Sequence, residues 1–241
     1  MPKFFVDAVS GNTVELTGPD GAHIAKSLRM REGEELTVCD AQGYDHRCTI
    51  LSVQGDRAAL RVLEKKRCEA EPSLAVTLFQ CLTKGEKMDT IVQKSVELGV
   101  ERIVPVLSCR SISRPDEKAA AKKRERWQKI AREAAMQAGR GKIPQVAPVT
   151  GFDEAVKALS AFPVAAVCYE GGGEPLSSLV QPSLSSAALF IGPEGGIAPE
   201  EIAALKEAGG RIVTLGPRIL RTETAPLAAL CAILFATGNM E

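Results

Sequence analysis

A glycine-rich loop in the C-terminal third of the chain holds residue types that suit ligand binding. The segment IGPEGG (191–196) follows a short apolar run and precedes a helix-like stretch. Glycines at a helix start let backbone N–H groups approach an anion, so phosphate is the first ligand to consider. The loop lacks a Lys followed by Ser or Thr, and it lacks the G-x-G-x-x-G spacing, so neither nucleotide-phosphate pattern is met. Because Glu194 would repel a pyrophosphate, the loop favours a nucleoside-type or cationic ligand.

Two other loops share this polar, glycine-rich character. CYEGGGEP (168–175) ends one apolar run, and LGPRILRTET (215–224) ends another, adding two arginines and a glutamate before an apolar helix. Each loop alone also fits a tight strand-to-helix turn, in which glycines supply positive φ and prolines stiffen the ends. Three such loops after consecutive strands, with charges that packing does not explain, favour a binding site.

The elements that must position these loops follow a strand-helix alternation that begins at Leu74. Met88, Ile91, Val92, Val96 and Leu98 form one helical stripe, and Gly99 is suited to end that helix. This rhythm predicts an α/β domain with a mainly parallel sheet covered by helices on both faces. Ligands bind parallel sheets at the carboxyl ends of the strands, so the three loops are expected to meet at one edge. The predicted strands are LAVTLFQCL, RIVPVL, VAAVCYE, AALFIG and RIVTLG.

The first 68 residues have a different pattern. Short, partly alternating runs are separated by turn sequences such as GPDG and AQG, which predicts a small β-barrel interrupted by one helical insert, GAHIAKSLRM. A charged segment ending in proline, KKRCEAEPS, marks a domain boundary near residues 66–73.

The charges of the chain cancel overall but are separated along it. Residues 71–150 carry 15 basic and 9 acidic side chains, whereas residues 151–241 carry 5 and 10. The basic stretch 102–142 suits an anionic partner, although a solvated helix face explains it equally well. Seven scattered cysteines without a C-x-x-C pair indicate neither a disulfide framework nor a zinc site, and two histidines give no metal-ligand cluster. No segment looks like a signal peptide or a membrane span, so a cytoplasmic protein is expected.

Four motifs together resemble one enzyme family. KGEKMDTIVQKSVELGV, RWQKIAREAAMQAGR, FIGPEGGIAPEEI and LGPRILRTETAPLAAL are similar, in order and spacing, to the bacterial 16S ribosomal RNA uridine-N3 methyltransferases of the SPOUT superfamily. HIAKSLRMREGEELTVCDAQG resembles the PUA-like RNA-binding barrel of that family. The similarity covers nearly the whole chain.

The resemblance implies a fold, a cofactor and partners. It implies a PUA-like RNA-binding β-barrel over residues 1–68 and a SPOUT α/β methyltransferase domain over 74–241, with a trefoil knot at about 164–235. The implied cofactor is S-adenosyl-L-methionine, with no metal. The implied partners are 16S ribosomal RNA, free or in the assembled small subunit, and a second copy of the chain in a homodimer. Methyl transfer to uridine N3 needs removal of the N3 proton or stabilisation of the anionic base.

The resemblance also assigns roles to residues. Arg221 is expected to stabilise negative charge on the uracil or to hold a phosphate, and Glu223 to act as base, unless its carboxylate merely caps the following helix. The cofactor is expected to contact Tyr169, Glu170, Ile191, Gly192, Glu194, Gly195, Gly196, Leu215, Gly216, Ile219, Leu220 and Thr224. The expected RNA contacts are His23, Arg29, Arg110, Arg114, Lys122, Lys123, Arg126, Arg132, Arg140 and Lys142.

Some alternatives stay open at this point. Glu194 either orients its loop through hydrogen bonds or faces the sulfonium. Lys3 stands where that family usually has Arg, so an N-terminal RNA contact is uncertain. The chain could also methylate another RNA position, because the fold serves many targets. A non-catalytic RNA-binding ribosome assembly factor is a further alternative, which the intact glycine-rich loops disfavour.

Overall fold

The computed structural model describes residues 1–240, which divide into two compact units. The first unit holds residues 1–71 together with 135–143, and the second holds residues 72–134 together with the chain from Pro144 onward. Segment 135–143 lies inside the range predicted for the C-terminal domain, yet it groups with the N-terminal residues.

The first unit is built on a five-stranded sheet with the order β1-β3-β4-β5-β2. β1 runs parallel to β3, and the other neighbouring pairs are antiparallel. A short helix and one π-helical turn, His23–Leu28, replace the single helical insert predicted from the sequence. The elements are β1 (Lys3–Val6), β2 (Thr13–Leu16), α1 (Gly18–Ala22), β3 (Glu35–Asp40), β4 (Tyr44–Gln54) and β5 (Arg57–Arg67).

Alternating apolar residues build the core of this unit. On β5, for example, Ala58 and Leu60 are fully buried while Arg57 and Arg61 are exposed, as the period of two along a strand requires. The core residues are Phe4, Leu16, Ile24, Leu36, Val38, Cys48, Ile50, Ala58 and Leu60.

Buried charges hold segment 135–143 within the first unit. Arg140 is 3% exposed, and its guanidinium donates from Nε and Nη2 to both carboxylate oxygens of Glu71 (3.1 and 2.6 Å). Lys3 donates to the carbonyl oxygens of Gly139 and Arg140 (2.8 and 3.0 Å) and pairs with Asp45 at 2.8 Å. Burial disfavours the Glu71 carboxylate, but the hydrogen bonds and charge of Arg140, the N–H of Gly141 and the charge of Lys142 together outweigh burial and lower the Glu71 pKa. We call Lys3, Asp45, Glu71 and Arg140 the Arg140 cluster.

The second unit is an eight-stranded sheet, all of whose strand pairs are parallel, as predicted. Its order is β11-β13-β10-β12-β6-β7-β8, with β9 also paired to β7. The strands are β6 (Ala75–Cys81), β7 (Arg102–Leu107), β8 (Gln145–Val146), β9 (Thr150–Gly151), β10 (Ala165–Cys168), β11 (Glu174–Pro175), β12 (Ser186–Ile191) and β13 (Arg211–Thr214). The helices are α2 (Lys87–Leu98), α3 (Glu117–Gln137, which continues into the first unit), α4 (Phe152–Leu159), α5 (Pro199–Glu207) and α6 (Ala225–Ala236).

The sequence pattern explains most of these elements. α2 buries the predicted stripe, with Leu98 only half-buried, and ends at Gly99, whose φ of 107° is left-handed. On α3, Trp127 is buried and donates from Nε1 to Asp89 on α2 at 3.0 Å. The short helix α4 has no counterpart among the predicted elements, although its Ala155 and Leu159 are buried in the core. Among residues 1–240, no helix is both long and apolar enough to span a bilayer.

Candidate functional site

The predicted loops follow strands that are neighbours in the parallel sheet. β13, β10 and β12 lie side by side, so the loops at 215–224, 169–173 and 192–198 start from the same edge. β6 is the next strand beyond β12, and its loop at 82–86 also starts there. The structure therefore adds a fourth loop, TKGE, to the three identified from the sequence. We call 192–198 the glycine loop and 215–224 the arginine loop.

Glycine in the glycine loop is required by backbone geometry and by a neighbouring side chain. Gly196 has a φ of 70°, and a Cβ at this position would overlap the Glu170 carboxylate of the β10 loop. Its N–H donates to the carbonyl of Pro193 at 3.0 Å, closing a tight turn. Two of the predicted cofactor residues, Glu170 and Gly196, are thus brought into contact.

A chain of buried hydrogen bonds ties the arginine loop to the glycine loop. Thr222, 8% exposed, donates to the carbonyl of Gly192 at 2.7 Å and accepts from Nε2 of Gln80 at 3.2 Å. Gln80 is fully buried on β6. Thr222 and Gln80 were not among the predicted site residues, although Thr222 lies between Arg221 and Glu223.

Glu194 makes a hydrogen bond of the kind that the orienting role, one of its two predicted alternatives, requires. Its Oε1 accepts the backbone N–H of Lys84 at 3.0 Å and lies 3.4 Å from Nζ of Lys87. Lys87 also pairs with Glu223, Nζ to Oε2, at 3.0 Å. Glu194 therefore joins the glycine loop to the β6 loop, and Lys87 lies between two carboxylates from different loops.

These contacts change the electrostatics of Glu223. Burial opposes its charge, but a hydrogen bond from its own N–H, the pair with Lys87 and nearby Arg221 together lower its pKa. The Lys87 pKa is raised, first by Glu223 and then by Glu194. Glu223 is thus a carboxylate at neutral pH. The residue at the N-cap of α6 is Thr224, and the Glu223 side chain points to Lys87 instead of capping that helix.

The remaining predicted cofactor residues lie around these contacts. Tyr169 follows β10 and donates its N–H to the carbonyl of Val213 at 3.1 Å. Gly216 has a φ of 103° with open space beside it, and Ile219 is 83% exposed. Ile191 is buried at the end of β12. Leu215 and Leu220 are half-buried, and Arg221 and Thr224 are exposed.

The predicted RNA contacts separate into groups. Arg110 lies beside the glycine loop and donates from Nη1 to the carbonyl of Gly195 at 3.0 Å. Arg114 donates to the carbonyls of Ser108 and Cys109, after the end of β7.

On α3, Lys122 is exposed, Lys123 lies over the Trp127 ring and Arg126 pairs with Asp89. Arg132 on the same helix is half-buried.

The other predicted RNA contacts belong to the first unit. His23 and Arg29 are exposed, at the start of the π-helical turn and directly after it. Lys142 is exposed. Arg140, by contrast, is buried against Glu71, which argues against the predicted phosphate contact. In the part of the chain that the structure describes, no group of three or more His, Cys, Asp or Glu side chains is arranged to hold a metal ion.

Comparison of this chain with known proteins identifies the family to which it belongs. Residues 70–234 match the family model described as RNA methyltransferase domain, and residues 16–63 match the RNA methyltransferase PUA domain. The chain belongs to the RNA methyltransferase family. The match at 70–234 includes all four loops of the site.

Several relatives of this RNA methyltransferase cover almost its full length. Ribosomal RNA small subunit methyltransferase E from Bacillus subtilis is 37% identical over 98% of this chain and 97% of its own. The protein of that name from Mycobacterium bovis is 33% identical over 99% of this chain and 93% of its own. A crystal structure of ribosomal RNA small subunit methyltransferase E from Neisseria gonorrhoeae, bound to S-adenosyl methionine, is 35% identical with a TM-score of 0.87. The aligned region covers 98% of this chain and 97% of the Neisseria gonorrhoeae chain.

Proposed function

We propose that the protein transfers a methyl group from S-adenosylmethionine to N3 of a uridine in 16S ribosomal RNA of the small ribosomal subunit. The observation that carries this proposal is the set of four loops at one edge of a parallel sheet, within the matched methyltransferase range. The relatives named for small-subunit ribosomal RNA support the choice of RNA. The choice of uridine N3 rests on the resemblance of the four sequence motifs.

The residues of the site fit S-adenosylmethionine. The backbone beside Gly216 is open, and the exposed side chain of Ile219 offers an apolar contact for the adenine ring. Glu170, Glu194 and Glu223 suit a positively charged sulfonium better than a phosphate. We propose that the cofactor is held by the glycine loop, the arginine loop and the β10 loop, including Tyr169.

When bound, S-adenosylmethionine supplies an activated methyl group, so the protein chiefly has to position the uridine and exclude water. N3 lies on the Watson–Crick edge, and the target base must therefore be unpaired or flipped out of a helix. We propose that Glu223 accepts the N3 proton, since its carboxylate is charged at neutral pH. The guanidinium of Arg221 stabilises the negative charge that develops on the uracil.

The RNA is held by phosphate contacts outside the reacting centre. Arg110 is the candidate nearest to the cofactor loops, because it already donates to Gly195. Lys122 and Lys123 on α3 are further candidates in the same unit, with Arg114, Arg126 and Arg132. We propose His23, Arg29 and Lys142 as contacts of the first unit, and we leave Arg140 out of the set.

Finer features of the fold also belong to this proposal. We propose that residues 1–68 close into a PUA-like RNA-binding barrel, that residues 74–241 form a SPOUT methyltransferase domain, and that the chain at about 164–235 is knotted. We also propose a homodimer, from the family resemblance, and a cytoplasmic location, from the ribosomal substrate.

Calorimetry with S-adenosylmethionine tests the enzymatic proposal. We expect saturable binding by the purified full-length protein. An absence of binding at micromolar protein concentration would contradict the proposed activity and favour a non-catalytic RNA-binding role.

A further inference from the structure

The first turn of α2 places a single ammonium group between two loops of the proposed site. Nζ of Lys87 lies 3.0 Å from Oε2 of Glu223 in the arginine loop and 3.4 Å from Oε1 of Glu194 in the glycine loop. The three side chains are 30%, 25% and 23% exposed, in the order Lys87, Glu223, Glu194. They are sheltered enough for their charges to interact strongly, and close enough to solvent to face a ligand.

We propose that Lys87 is a positioning residue for methyl transfer, which holds the glycine loop and the arginine loop in one arrangement by pairing with a carboxylate from each. The inference rests on the function proposed above for these loops. Lys87 is not placed in contact with the substrate; it acts through Glu194 and Glu223.

Lys87 can fix other residues because its own helix is fixed. Met88, Ile91 and Val92 of α2 are buried in the core, and Asp89 accepts a hydrogen bond from the indole of Trp127 on α3. The loop before the helix is held as well, since the N–H of Lys84 donates to Glu194. Side chains on rigid elements position reacting groups better than side chains on free loops.

The two loops are joined in two places that differ in chemistry. The buried junction runs from Gln80 through Thr222 to the carbonyl of Gly192 and has no ionisable group. The outer junction, formed by Lys87, Glu194 and Glu223, consists of ionisable side chains. The buried junction keeps the loops together without Lys87. The outer junction fixes where the Glu223 carboxylate points.

Removing the ammonium would leave two carboxylates facing each other across the site. Their repulsion would turn Glu223 away from its present position, and a small misplacement of a reacting group lowers a rate strongly. The charged groups that act on Glu223 are Lys87 from α2 and Arg221 from its own loop, and Glu194 of the glycine loop pairs with the same Lys87 ammonium. Without Lys87 the Glu223 pKa must rise, so the carboxylate protonates at a higher pH.

The test compares full-length Lys87→Met, Lys87→Gln and Lys87→Arg with the wild type in steady-state methyl transfer to ribosomal RNA between mildly acidic and mildly alkaline pH. We expect kcat to fall by about 100-fold in Lys87→Met and Lys87→Gln. We expect the acidic limb of the rate profile to move to higher pH in both variants. Lys87→Arg should recover most of the rate, because it restores the charge.

A matched control lies on the same helix. Within the described residues, the ion pair of Lys94 is with Glu97, three positions along the same helix. Lys94→Met therefore removes a lysine of α2 without removing a contact of the loops. It should leave kcat and the pH profile unchanged. Calorimetry with S-adenosylmethionine, on the same preparations, should show a smaller loss of cofactor affinity than of kcat in Lys87→Gln.

The outcomes separate this inference from the proposed function. A wild-type protein that neither binds S-adenosylmethionine nor methylates RNA would overturn the proposed function itself. An active wild type, with Lys87→Gln matching Lys94→Met in kcat and acidic limb, would overturn only the role of Lys87. If Lys87→Met fails to fold, as judged by circular dichroism, the folded Lys87→Gln and Lys87→Arg pair decides by the same criteria.

Discussion

Two clusters of charged side chains join distant parts of the chain, one in each unit, and they differ chiefly in burial. In the Arg140 cluster, the side chains of Arg140 and Lys3 are 4% and 6% exposed, and carbonyl oxygens satisfy the remaining lysine donors. In the second unit, Lys87 is 30% exposed and lies between carboxylates of two loops. Breaking a buried charge pair strongly destabilises a fold, whereas partly exposed charges at the end of a parallel sheet remain available to a ligand.

Among the proposed variants, the largest effect is expected from removing one partner of the buried Arg140 cluster. Arg140→Met leaves Glu71, whose side chain is only 18% exposed, without its main cation, and we expect the free energy of unfolding to fall by about 3–5 kcal/mol. Cofactor affinity of the folded fraction should stay unchanged. Urea unfolding followed by circular dichroism, with calorimetry on the same samples, measures both quantities.

The matched control for this variant is Arg47→Met. Arg47 pairs with two carboxylates, Glu35 and Glu64, whereas Arg140 pairs with Glu71, and the Arg47 side chain is 43% exposed. We expect only a small fraction of the Arg140→Met loss, because exposed ion pairs contribute little. An equal loss in both variants would show that burial is not what distinguishes the Arg140 cluster.

The stabilisation contributed by Glu71 in the Arg140 cluster is expected to depend on pH. The Glu71 pKa is lowered in the folded protein, so its pairing stabilises the fold above the ordinary carboxyl pKa, and this contribution is lost as the pH falls through the lowered value. The difference in unfolding free energy between wild type and Glu71→Gln should therefore shrink on acidification. A pH-independent difference, measured by urea unfolding at several pH values, would contradict the assigned charge state.

A pair of glycine substitutions tests the proposed cofactor site in the second unit. Gly196→Ala combines a left-handed φ with overlap of the Glu170 carboxylate, so we expect cofactor affinity to fall by about tenfold or more. In Gly195→Ala the new Cβ would lie 3.4 Å from Cβ of Arg110, an ordinary contact. Calorimetry should show nearly wild-type affinity for Gly195→Ala. Equal cofactor affinities of the two variants would show that the backbone geometry at Gly196 does not determine cofactor binding.

The sequence predicted the parallel sheet and its loops well, because apolar strands and glycine-rich turns are local signals. The stripe of α2 and its end at Gly99 were likewise confirmed. The role of Lys87 could not be predicted, since its partners Glu194 and Glu223 are more than a hundred residues away. Arg140 was interpreted as part of a basic surface, because the partner that buries it, Glu71, is separated from it by 69 positions.

Other differences have local causes. Helical periodicity does not separate α1 from the π-helical turn at His23–Leu28, so one helix was predicted for both. α4 has eight residues, which is short for a periodic signal. Knotting leaves no mark on periodicity at all, and the predicted knot rests on the family resemblance alone.

The smallest expected effect concerns the RNA surface of α3. Lys122→Ala combined with Lys123→Ala should weaken RNA binding and reduce its salt slope by about 2, because two phosphate contacts are lost. Cofactor affinity should not change. RNA binding measured at several salt concentrations, with calorimetry alongside, tests this division. A parallel loss of cofactor affinity would show that α3 and the glycine loop are not independent.

The most direct test of the central claim is mass-spectrometric mapping of 16S ribosomal RNA from cells with and without the gene for this protein. We expect one N3-methyluridine to be present in the first sample, absent from the second, and restored by the wild-type protein. An unchanged N3-methyluridine content in cells that lack the protein would contradict the proposed reaction.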